Sequence, residues 1–152
     1  MRAGSSGLYG ATAKILVDAE LAKDRLYGAF NIEQSAAFQR DNGVDCAIAG
    51  GGWCKSSFLN LRAALALKVA ETFYLGVDLA HQRAYDGAFL NRAPGWAWFA
   101  GPNLFWQANE KVSFNAAWAV QLSGKAPGQT AGSLNLDQFT RHAVKAKLGV
   151  SF

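Results

Sequence analysis

The chain has 152 residues, enough for one ordinary domain with a sizeable core, and is 51% hydrophobic against 17% charged, too apolar for a disordered segment. Its formal charge of +4 comes without a basic run, so nucleic acid is not an expected partner. The longest charge-free stretch, 93–109, holds Pro94, Pro102 and two Asn, which excludes a membrane-spanning helix of about 20 apolar residues.

From the N-terminus onward, apolar residues recur with a period of two rather than 3.6. The pattern predicts an all-β chain of seven antiparallel strands at about 8–21, 26–38, 58–69, 73–83, 96–108, 112–123 and 138–152, in one domain spanning 1–152. In the first, Tyr9, Ala11, Ala13, Ile15, Val17, Ala19 and Leu21 oppose Lys14, Asp18 and Glu20. The second sets Leu26, Phe30, Ile32, Ala36 and Phe38 against Asn31, Glu33 and Ser35. The third sets Leu59, Leu61, Ala63, Leu65, Leu67 and Val69 against Asn60, Arg62 and Lys68. In the fourth, Phe73, Leu75, Val77 and Leu79 oppose Asp78 and Gln82.

The fifth is mixed. Trp96, Trp98, Leu104 and Trp106 share one side, while Phe99 and Phe105 fall on the other. The sixth is clean, with Val112, Phe114, Ala116, Trp118, Val120 and Leu122 opposite Ser113, Asn115 and Gln121. The last opposes Val144, Ala146, Leu148, Val150 and Phe152 to Arg141, Lys145 and Lys147.

Phasing the strands on their large apolar residues leaves the charges as an independent test. Lys14, Asp18, Glu20, Glu33, Arg62, Lys68, Asp78, Arg141, Lys145 and Lys147 all fall on the polar face, whereas a helix would scatter them. The connections alternate as well. Tight turns are expected at 22–25, 70–72 and 109–111, and long Gly-, Asn-, Asp- and Pro-containing loops at 39–57, 84–95 and 124–137. Outer-membrane barrels have short periplasmic turns and longer extracellular loops. With the tight turns placed in the periplasm, the seventh strand ends on the periplasmic side.

Alternation fits two barrels. A soluble, lipocalin-like barrel would turn the large apolar residues inward; a membrane barrel would turn them to lipid. The polar face carries many small residues, among them Gly10, Ala29, Ala64, Gly76, Ala117 and Gly149, which suits a lumen better than a solvated outer face. Tyr27, Phe38, Phe58, Phe73, Tyr74, Trp96, Trp98, Trp106 and Phe139 lie near strand ends, where lipid-water interfaces favour aromatic girdles.

Other motifs carry less. Cys46 and Cys54, the only cysteines, lie in one long loop, where a disulfide would fit an oxidising compartment; without nearby His or further Cys they make no zinc site. The run Gly50-Gly-Gly-Trp-Cys-Lys-Ser lacks the Gly directly before Lys55 that a phosphate-binding loop requires. His81 and His142 are isolated and lack the oriented partners of a catalytic triad. No catalytic residue, metal site or cofactor is expected.

The segments GPNLFWQANEKVSFNAAWAVQLSG and FTRHAVKAKLGVSF resemble the last strands of bacterial, alphaproteobacterial-type outer-membrane β-barrels of channel- or porin-like kind. The resemblance implies that Val144, Ala146, Leu148, Val150 and Phe152 form the C-terminal assembly signal read by the barrel-insertion machinery. It implies residence in the outer membrane of a Gram-negative bacterium, with lipid outside and small solutes inside. The chain departs from that family by its odd strand count and by lacking a signal peptide, so at least one N-terminal strand is expected to be missing. The function expected is passive passage of small solutes through a polar lumen. The alternative is a closed structural or surface-interaction barrel whose long loops bind.

Overall fold

The computed structural model describes residues 8–40 and 53–151. Seven strands follow one another: β1 Leu8–Ala22, β2 Leu26–Arg40, β3 Trp53–Ala70, β4 Phe73–Asp86, β5 Arg92–Gln107, β6 Val112–Lys125 and β7 His142–Val150. They form one sheet in the order β1-β2-β3-β4-β5-β6-β7, each strand antiparallel to the next. The sheet curls into an open half-barrel. Its up-and-down path needs no crossover, because tight turns join antiparallel neighbours directly. Six reversals leave β1 and β7, the two edges, running in the same direction.

The turns follow from local chemistry. Between β1 and β2, Asp24 takes φ of 55°, a left-handed conformation that Asp tolerates, while its N–H donates to the Glu20 carboxylate. Between β5 and β6, the Asn109 carboxamide oxygen accepts from the N–H groups of Lys111 and Val112, both at 2.9 Å, as Asn side chains do in Asx-type turns. These turns occupy 23–25, 71–72 and 108–111, close to their sequence-based positions.

The other ends differ more. β3 begins at Trp53 and β4 runs on to Asp86, so the expected 84–95 loop contracts to 87–91. There the Gly87 N–H donates to the Lys55 carbonyl at 2.9 Å. β7 begins at His142, not at 138. Arg141 therefore belongs to the preceding loop, where its carbonyl accepts from the Gln121 N–H at 2.8 Å; β6 there pairs with loop backbone.

Little of the sheet is buried. The described core is Ala80, Ala97 and Phe99 with Ala119 and Phe139 packed against it, all toward one end of the concave face. By contrast, large apolar side chains stand exposed on every strand, from Ile15 and Val17 in β1 to Val144, Leu148 and Val150 in β7. A water-soluble monomer rarely leaves so contiguous a surface bare.

Candidate functional site

The pairing register fixes which side chains share a face. One row crosses the sheet as Leu16, Asn31, Arg62, Ala80, Phe99 and Gln121. A second runs Asp18, Ala29, Ala64, Asp78 and Gly101. A third runs Lys68, Tyr74, Phe105, Asn115 and Lys147, and Lys14 pairs directly with Glu33. Nine of the ten expected inward charges thus lie on one face of strands. The tenth, Arg141, sits in the loop just before β7.

Polar contacts on this face are sparse. Lys14 Nζ lies 2.8 Å from Glu33 Oε2, the one ion pair among the described residues. Asn103 donates from Nδ2 to Asp78 Oδ1 at 2.7 Å. Gly76 gives this bond room: a Cβ there would meet the Leu65 carbonyl oxygen and the Asn103 carboxamide. Asn31 Oδ1, Asn60 Oδ1 and Arg62 Nε are buried without a protein partner. Gln34 Oε1, His81 Nδ1 and Arg83 Nε, on the opposite face, are likewise buried without a partner. Among the described residues this face is not cross-linked by salt bridges.

The β6–β7 connection, expected as a long loop over 124–137, spans 126–141 and folds onto the concave face. The Phe139 ring lies 6.1 Å from Phe58 and 6.2 Å from Phe99, centroid to centroid. Asn135, wholly buried, anchors the loop. Its Nδ2 donates to the Lys125 carbonyl and to Gln138 Oε1, both at 2.9 Å, and its Oδ1 accepts from the Gln138 N–H at 3.1 Å. Gln121 Nε2 donates to the Asn135 carbonyl at 3.1 Å. Removing buried partners of this kind costs about 1–3 kcal/mol. Asn135→Ala should therefore lower the thermal midpoint and open 126–141 to proteolysis before the strands; equal protection in both chains would show that the anchor is dispensable.

The aromatic residues divide between the faces. Tyr27, Tyr74 and Phe105 cluster on the polar face at the tight-turn end, with ring centroids 5.7 Å and 5.8 Å apart. This corrects the expectation that Tyr27 and Tyr74, like Phe58 and Phe139, belong to an outer girdle. On the apolar face Phe73, Trp106 and Phe114 are register neighbours at the turn end. At the loop end His81 packs on Trp98 at 4.4 Å and on Trp96 at 6.1 Å, and His142 stacks on Trp118 at 6.0 Å. Both histidines thus sit among rings on the apolar face. Among the described residues no group of three His, Cys, Asp or Glu is placed to hold a metal.

Cys54 is disulfide-bonded; Cys46 lies outside the described residues, as does Phe152 of the expected assembly signal. Val144, Ala146, Leu148 and Val150 share the apolar face of β7, with Val144 78% exposed. The parity of Phe99 was legible in the sequence; Phe139 was read as an aromatic of an expected 138–152 strand, whereas β7 begins at His142, and Asn135, outside any periodic segment, was not legible.

A family model described as "Family of unknown function (DUF6662)" matches residues 6–152. No curated protein and no solved structure matches the chain.

Proposed function

The chain belongs to the DUF6662 family of unknown function, and from that premise we propose that it forms the wall of an outer-membrane β-barrel for passive passage of small solutes. The observation that carries this reading is the two-faced sheet. Its outer face is largely apolar on every strand, with Gln34 and Arg83 as polar exceptions toward the loop end, and its concave face holds charges, amides and small residues. Backbone groups in lipid must be paired within the protein, and strands achieve this only in a barrel. On β5 the outer rings Trp96 and Trp106 are ten residues apart, about 33 Å along a strand. Tilted by about 40°, that span approaches the apolar band of about 25 Å found on such barrels.

Lys145 and Lys147 lie on the concave face of β7 beside Ala117 and Asn115. Charged residues lining a pore set its ion preference. Replacing both with Gln should shift the reversal potential in bilayer recordings toward cations. Conducting pores with unchanged selectivity would remove these residues from the pathway.

A second reading, a closed barrel acting through its loops, is favoured by the inward fold of 126–141. It predicts no single-channel conductance from the complete protein and loss of activity on loop deletion.

A further inference from the structure

We propose that the cavity under the β6–β7 loop binds a small organic monoanion with an apolar body, an aryl or alkyl carboxylate. The proposal rests on the reading of the concave face as a hydrated lumen and names what that lumen would select. The cavity measures about 470 Å3, within the size range of small-molecule sites. Phe58, Phe99 and Phe139 line one part of it, and Arg62, Asp78 and Lys145 another.

The charges point to a single negative group. Asp78 is already engaged by Asn103 at 2.7 Å, and two cations face one carboxylate. Arg62 Nε is buried with no protein acceptor. Neither Arg62 nor Lys145 has an ion-pair partner among the described residues, and a carboxylate supplies the acceptor that Arg prefers. The remaining shape asks for an apolar body. Phe58 and Arg62 are four residues apart on the same face of β3, about 13 Å along the strand. The long arginine side chain shortens that gap to the scale of a ring or short chain lying against the phenyl groups. Phe139 closes it from above, 6.1 Å and 6.2 Å from the other two rings.

The test is titration calorimetry on the full chain folded in detergent micelles, with benzoate, hexanoate, acetate and benzamide as probes. Benzoate or hexanoate should bind, and their ratio tells a ring-specific site from a chain-specific one. Acetate lacks the apolar body and benzamide the charge, so each should bind at least about tenfold more weakly. Phe139→Ala should weaken benzoate by about tenfold, and Lys145→Gln, at an exposed position, should weaken it while leaving benzamide unchanged. Acetate or benzamide binding as tightly as benzoate would overturn the proposal. So would no binding of either apolar carboxylate by a chain whose circular dichroism shows the sheet. Should Phe139→Ala fail to fold, the probe series and Lys145→Gln decide.

Failure of the site is separable from failure of the lumen reading. Lys145→Cys, compared with the unsubstituted chain, reports through a membrane-impermeant maleimide on vesicles. Labelling without benzoate binding overturns the site alone; an unlabelled cysteine removes the lumen and the site together.

Discussion

Val77→Arg should cost about 2–4 kcal/mol of stability in lipid vesicles, the range for a basic residue at the midplane of a barrel's lipid face. Val77 lies halfway between Phe73 and His81 on β4, among Leu65, Leu79 and Pro102, and is 60% exposed. On the proposed lipid face the guanidinium would have no water and no partner. The matched control is Ala64→Arg, which places the same charge one residue away in the pairing register, on the opposite face and directly beside Asp78. There the new charge meets the Asp78 carboxylate on the face proposed as hydrated, so little change is expected. Folding yields and denaturant midpoints in vesicles read the difference. Equal effects at the two positions would end the lipid-facing assignment. In water a soluble barrel predicts the opposite ordering only if the apolar face is inward, which the exposure of Val77 opposes.

Gly101→Val should be the most damaging single change at a glycine. A Cβ there would overlap the Trp118 carbonyl oxygen, and would stand 2.8 Å from the Trp118 carbonyl carbon and 3.0 Å from Ala119 Cα. These are backbone atoms of the paired strand β6, so no rotamer change relieves the clash and the strands must separate. Overpacking costs about 1–3 kcal/mol, and more where backbone is displaced. The adjoining Pro102 contributes no N–H to the ladder, so this stretch of β5 is already poorly tied to β6. Gly10→Ala is the comparison. Its Cβ meets only the Ala36 carbonyl oxygen, at 3.2 Å on the edge strand, and should cost far less. Thermal or denaturant unfolding of both variants measures this. A Gly101→Val midpoint as high as that of Gly10→Ala would show that β5 and β6 part here without penalty.

Both predictions rest on facing and register, and the two were legible in the sequence to different degrees. Facing was. The alternation of Leu59, Leu61, Leu65 and Leu67 with Asn60, Arg62 and Lys68 assigns each β3 side chain to a face, because successive residues on a strand point to opposite sides. Pairing followed wherever a turn is tight: a two-residue turn at 71–72 leaves Lys68 almost no choice but Tyr74. Hence the seven strands, their order and the shared face of the inward charges on strands could be read without coordinates.

What only the tertiary structure decided lies where neither periodicity nor a short turn constrains the chain. The 124–137 stretch reads as a Gly- and Pro-containing loop and 138 onward as strand, yet the loop runs to 141, Asn135 is wholly buried and Phe139 reaches Phe58, which is 81 positions away in sequence. Such a contact depends on the curl of the sheet, a summed twist of all the strands that no local pattern encodes. Tyr27, Tyr74 and Phe105, by contrast, share the concave face by strand parity and register, so their exclusion from an outer girdle was already legible in the alternation. Alternation determines which face each strand residue takes; curvature and loop packing determine what those faces enclose.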